Sequence, residues 1–270
     1  MSTSIRLRAH PVDPRLRFAV RRIAGFAERT GQPQSRRELP TPSVTVILGL
    51  GDSIELRSAT GGGRFESFLA GLHQIPVDTT HQGSLRCIQL DLSPLGAYRL
   101  LGIPMFELAN TALGLDAIGL PDLAAQLADQ PDWPARFTLL ERTVGSRIEA
   151  GPAVDREVSW AWRRLACTHG AVPIGALAAE VGWSRRHFAA RFRRQVGLAP
   201  KAAAQVLRFR RALGLLDGSR TIGTVAAETG YADHSHLVRD FRRMTGDAPS
   251  VLLGHPPEVT FVQDGIGDVL

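Results

Sequence analysis

Apolar positions change rhythm near residue 150, and each rhythm predicts a different architecture. In the first part short runs alternate: SVTVILGL from Ser43 and SIELRS from Ser53 flank Gly51-Asp52, and FESFLAGLHQI and SLRCIQLDL read as further strands. Gly51-Asp52 reads as a hairpin turn and the Gly61-Gly62-Gly63 run as a second turn. An amphipathic segment, LRFAVRRIAGFAER from Leu16, and a proline-rich break through Pro42 precede them. From Pro94 to Glu149 the spacing is helical, notably in PDLAAQLADQ and ARFTLLERTVGSRI, the second leading toward the later part of the chain.

Beyond Asp155 the period is helical and the sequence repeats itself. DREVSWAWRRLACTH places Val158, Trp162 and Leu165 on one side of a helix. IGALAAEVGW from Ile174 returns as IGTVAAETGY from Ile222, and FRRQVGLAP from Phe192 returns as FRRMTGDAP from Phe241. The offset grows by one residue between the halves, which puts an insertion between Gly230 and Leu237. Each copy reads as two short helices around a glycine: Leu177, Ala178 and Val181 run up to Gly182, and Val225, Ala226 and Thr229 up to Gly230. Ser184 is a good N-cap, and Phe188 with Phe192, like Leu237 with Phe241, faces inward at a spacing of four. That is a helix-turn-helix, twice. Between the copies a helix opens at Pro200 and stops at Gly218; its predicted apolar stripe is Val206, Phe209, Leu213 and Leu216, and it serves as a rigid strut.

Charge sharpens this division. Residues 1–154 hold 16 arginines against 15 acids, residues 155–256 hold 16 basic residues against 8 acids, and the tail carries three acids, so the excess sits with the repeats. Nearly all of it is arginine, Lys201 being the lone lysine. No stretch reads as a membrane span or secretory leader, so a soluble, cytoplasmic protein is expected. Cys87 and Cys167 form neither a disulfide framework nor a zinc pattern, and both are expected to be buried.

The paired units, with A-x-x-x-G in each first half and F-x-x-x-x-G-x-x-P in each second half, resemble the AraC/XylS family of transcription regulators through GWSRRHFAARFRRQVGLAP and GYADHSHLVRDFRRMTGDAP. LDLSPLGAYRLLGIP from Leu90 and VTFVQDG from Val259 resemble the family's β-rich regulatory part more weakly. The strands of residues 1–150 predict a small β-barrel or sandwich with appended helices, and with the helical repeats they make an α+β chain. By the resemblance, residues 1–150 would form a cupin-like effector-sensing or dimerisation domain, residues 151–256 an all-α DNA-binding domain, and residues 257–270 a tail. The implied partners are double-stranded DNA in its major groove, a small-molecule effector, a second copy of the chain and, for an activator, RNA polymerase.

A recognition helix turns one face to its own core and the other to the groove. With Phe188 and Phe192 inward, Arg186, Ala190 and Arg193 lie opposite and His187 and Ala189 on the flanks; Ser184 and Arg185 stand at the start. With Leu237 and Phe241 inward, Ser235, Arg239 and Arg242 lie opposite, beside His234 and His236. Arg186, near the helix start, is the expected base reader, whereas Arg193, Arg194, Arg242 and Arg243 suit phosphates. Asp233 and Asp240 are expected to weaken the second unit.

Other chemistry has less support. His234 and His236 are two apart on a helix and do not converge, and His73 and His81 lack the His-x-His pair and glutamate of a cupin metal site, so no metal is expected. Walker, nucleophile-elbow and complete dinucleotide motifs are missing, and no cofactor or catalysis is implied. The competing readings are an alkyl-accepting protein using Cys87 and a DNA-binding protein without an effector.

Overall fold

The structure is a computed structural model that describes residues 4–254; the VTFVQDG segment and the acidic tail lie outside the described residues. Its first part is built on two antiparallel sheets. The larger orders its strands β1 (Ser4–His10), β2 (Val20–Arg29), β9 (Ser84–Leu92), β4 (Val44–Gly49), β7 (Phe68–Ala70) and β10 (Ala112–Gly114). The smaller runs β3 (Gln34–Glu38), β8 (Val77–His81), β5 (Ile54–Ser58) and β6 (Gly61–Phe65).

The larger sheet is covered on both faces, so its central strands are apolar on both sides. Ala24, Phe26, Ile47, Phe68 and Cys87 pack with Ile54 and Leu56 of the smaller sheet. Ile23, Val46, Leu48, Ile88 and Leu90 join the core built by α1 (Pro94–Leu101), α2 (Leu123–Ala128) and α3 (Trp133–Ala150). Trp133 lies so close over Gly25 that any side chain there would strike its ring. The same core continues without interruption through α4 (Arg156–Cys167) into the repeats.

Several local expectations change. The amphipathic segment after Leu16 is the strand β2, paired with β1 on one side and β9 on the other. Gly51-Asp52 is not a hairpin turn, because β4 and β5 belong to different sheets and the chain changes layer there. The triple glycine is not a turn either: it forms β6 against β5, with Gly62 pressed on the Leu56 carbonyl. FESFLAGLHQI supplies only the end of β6 and the short β7, and the stretch after Pro94 includes one strand, β10. Cys167 is exposed, since it falls on the outer face of α4.

The repeats fold as α5 (Ile174–Glu180) and α6 (Arg185–Val196), then α8 (Ile222–Glu228) and α9 (His234–Thr245), joined by α7 (Pro200–Leu215) and followed by α10 (Pro249–Gly254). Gly182 and Gly230 take φ of 71° and 75°, the left-handed conformation that turns the chain between helices. The inserted residue lengthens the second turn, so Asp233 takes the N-cap place that Ser184 holds in the first. On α7 the buried face holds Ala203, Ala204, Val206, Leu207, Phe209 and Ala212, and Leu213 and Leu216 are half-buried against the core, with Leu216 ending the helix.

Candidate DNA interface

The second helix of each unit is fixed by its own aromatic core. Phe188 and Phe192 are fully buried 5.7 Å apart, and Trp162 of α4 closes over Phe192 at 6.4 Å. In the second unit Phe241 meets Phe209 of α7 edge to face at 5.0 Å. Both helix starts are capped: the Ser184 hydroxyl accepts from the His187 N–H at 3.2 Å, and the Asp233 carboxylate from the His236 N–H at 2.6 Å.

Aligning the caps puts the outward positions in register. Arg185 corresponds to His234, Arg186 to Ser235, His187 to His236, Ala190 to Arg239, Arg193 to Arg242 and Arg194 to Arg243. Arg185, Arg186, His187, Ala190, Arg193 and Arg194 are exposed and Ala189 half-buried; His234, Ser235, Arg239, Arg242 and Arg243 are exposed and His236 half-buried. The histidine equivalence is easily missed because the insertion shifts it. His187 stands edge-on to Trp183 at 4.6 Å and His236 edge-on to Tyr231 at 5.1 Å, so each buttresses the turn leading into its helix.

The arginines divide by their partners. Arg193 stacks over Phe106 at 5.0 Å, and Arg243 pairs with Asp240 at 3.1 Å. Asp240 is buried rather than outward, so its charge is turned away from the exposed face and only Asp233 stands at the start of α9. Arg191, half-buried on the flank of α6, was not singled out by the helical wheel. Its guanidinium donates two 2.7 Å bonds to Asp155, whose carboxyl is thereby held below the usual carboxylate range. The Asp155 N–H donates to buried Gln195, so the entry to α4 is bolted to α6.

Both units also touch the first part of the chain. Gly197, ending α6, lies on Met105, and Arg37 of β3 donates to the Thr245 carbonyl at 3.3 Å and faces Asp247 at 3.8 Å. Elsewhere, His81 sits in a buried cluster with Glu28 and Arg36, and His73 bonds the Gly71 carbonyl. Cys87 is fully buried, which pushes its thiol up to about 12 and keeps it protonated. Among the described residues no helix is long and apolar enough to cross a membrane.

Two domain families match the chain. A helix-turn-helix domain family matches residues 177–254, from α5 through α10, and a domain of unknown function (DUF6597) matches residues 8–114. No curated protein matches the chain. Among solved structures, ToxT from Vibrio cholerae is 11% identical over 94% of this chain and 98% of its own, with a TM-score of 0.46. The DNA-binding domain of AdpA, solved with a target DNA, is 32% identical over 36% of this chain and 86% of its own, with a TM-score of 0.32. The C-terminal domain of AraT from Geobacillus stearothermophilus is 14% identical over 40% of this chain and 92% of its own, with a TM-score of 0.36. With two capped helix-turn-helix units repeated across one connecting helix and the matching domain family laid over them, this chain belongs to the AraC/XylS family of DNA-binding transcription regulators.

Proposed function

We propose that α6 and α9 read duplex DNA sequence from two major-groove segments, and that a small molecule bound by the β-rich part controls the reading. The observation that carries the first half is the register of the two helices: equivalent outward positions begin in the first turn after a capped N-terminus in both. Arg185, Arg186 and Ala190 of the first unit, and His234, Ser235 and Arg239 of the second, face base edges in this reading. Arg186 and Arg239 supply the guanidiniums for guanine; Arg194 and Arg242 hold phosphate. The division into a regulatory part to about residue 150 and a reader beyond it belongs to the same proposal.

Effector control is supported by a cavity of about 120 Å³ between the sheets. An apolar cavity of about 150 Å³ admits benzene, so an effector held here without widening of the cavity is no larger than that. Its polar wall is Asp91, which accepts from Arg22 at 2.8 Å, Thr45 at 2.9 Å and Gln89 at 3.0 Å. Glu38 of β3 lines the same cavity, and its neighbour Arg37 reaches the end of α9. Control by dimerisation is the second reading, favoured by Ile5 and Leu7, more than half exposed on edge strand β1.

Random-site selection with the full chain tests the reader. The expected result is two blocks about one helical turn apart. Arg186→Ala should alter preference in one block and Arg239→Ala in the other. Selection of a single block, or two variants with wild-type preference, overturns the assignment.

A further inference from the structure

Between the first part of the chain and α4 runs a groove of about 950 Å³, separate from the cavity between the sheets. One wall is a single face of α4, where Arg156, Trp160, Arg163 and Cys167 follow at helical spacing, while Val158, Ala161 and Leu165 face the core. The opposite wall brings Phe18 from just before β2, Arg21 from β2 and Arg99 from α1, with the Arg99 guanidinium 5.6 Å above the Phe18 ring. The floor is the segment from Gly151 to Val154 that leads into α4.

Four guanidiniums therefore line this groove and no carboxylate does. Two polar atoms of its walls, Arg99 Nε and Trp162 Nε1, are buried without a hydrogen-bond partner. Trp162 is itself only 4% exposed. Burial lowers the Arg21 pKa, and no acid among the described residues offsets that desolvation. Buried charges and polar groups are ordinarily paired, so these donors, set among Phe18, Leu95 and Trp160, have the composition of a site for an acceptor carrying an apolar body. A solvated arginine face would leave neither a desolvated guanidinium nor an orphaned indole N–H.

We propose that this groove binds a single anionic amphiphile, a carboxylate, sulfonate or phosphate head on an aromatic or aliphatic body, held between the wall of β2 and α1 and the arginine face of α4. The head meets Arg21, Arg99 and Arg163, and the body lies between Phe18 and Trp160. Because α4 packs under α6, the ligand bridges the β-rich part and the first recognition helix. The site is separate from the effector cavity between the sheets, and its test reads probe binding, with duplex DNA entering only as a competitor.

The probe is 8-anilinonaphthalene-1-sulfonate, titrated into the full chain and followed through emission sensitised by Trp160 and Trp162. The uncharged analogue N-phenyl-1-naphthylamine serves as control. One sulfonate probe per chain is expected, with the neutral analogue at least about tenfold weaker, as loss of a charge-assisted contact requires. Arg21→Gln with Arg163→Gln should weaken the sulfonate by a similar factor while circular dichroism stays unchanged; the Lys pair should restore part of it. The probe should also slow iodoacetamide alkylation of Cys167, the exposed thiol, since Cys87 stays protonated in the interior. Equal affinity for the neutral analogue, binding indifferent to the double substitution, or unprotected Cys167 overturns the proposal. So does displacement of the probe by duplex DNA, which gives these arginines to phosphates, or capture of the protein by phosphatidylglycerol vesicles without single-probe saturation, which gives them to a membrane surface.

Discussion

At the scale of single residues, identical side chains differ in what they are free to do. Arg186 and Arg194 are both exposed, but Arg186 stands in the first turn of α6 and Arg194 in the last. Arg186→Ala should remove about 1–3 kcal/mol of discrimination at one base, while Arg194→Ala should weaken all sequences alike. Competition binding against single-base variants of the selected site separates the two outcomes. Asp155 belongs to a different class, because its partners are inside the protein. Its pKa is depressed by Arg191, so the pair stabilises the fold above the ordinary carboxylate value and loses that contribution as pH falls through the folded-state value. With the Arg191 side chain 41% exposed, solvent screening holds the benefit to about 1 kcal/mol. Asp155→Asn should therefore unfold at lower temperature than wild type at pH 7, with the difference closing below about pH 4. A difference that persists undiminished in acid would show that the pair is not its origin.

At the scale of elements, the helix-turn-helix units were legible because their determinants are local: a cap, an apolar pair four apart, a glycine at positive φ, and a second copy to confirm the spacing. The strands were legible one by one but their partners were not. SVTVILGL and SIELRS alternate equally well, and nothing within either run records that one joins a six-stranded sheet and the other a four-stranded one. The segment after Leu16 was ambiguous because the larger sheet is covered on both faces, which blurs alternation. At the candidate interface the wheel found the outward positions, but it could not know that Arg193 and Arg243 have partners, which come from Phe106 and a buried Asp240. The strut α7 shows the same limit. Val206 and Phe209 of its predicted stripe are buried while Leu213 and Leu216 pack on the core only in part, and its ring contact with the second unit is Phe209 on Phe241. Phe209→Ala should cost about 3–5 kcal/mol, as deletion of a buried ring does, and should erase protection over the second block of a footprint before the first. Loss of both blocks together at partial destabilisation would show that the units unfold as one.

At the scale of the whole molecule, the reader is not a free appendage. The core runs unbroken from the larger sheet through α1, α3 and α4 to α6 and α7, and the first part of the chain touches the ends of both α6 and α9 through Met105, Phe106 and Arg37. One of those contacts involves an exposed arginine of the proposed interface: Arg193 lies over Phe106 in the short turn Met105–Leu108. A cation stacked on a ring at a partly exposed site is held by about 0.5–1 kcal/mol, enough to bias the side chain without locking it. Each phosphate neutralised adds about 0.9 to the slope of log affinity against log salt, so a diverted Arg193 shows as a missing increment. Phe106→Ala in the full chain should steepen that slope toward one additional phosphate. Phe106→Ala combined with Arg193→Ala should return it to the wild-type value. Since Phe106 is itself 38% exposed, its removal leaves little cavity and the fold should survive. Mobility-shift titrations at five or so salt concentrations measure the slopes. An unchanged slope in Phe106→Ala would mean that Arg193 already reaches DNA past the ring, or never reaches it, and that the β-rich part does not govern the first recognition helix through this contact.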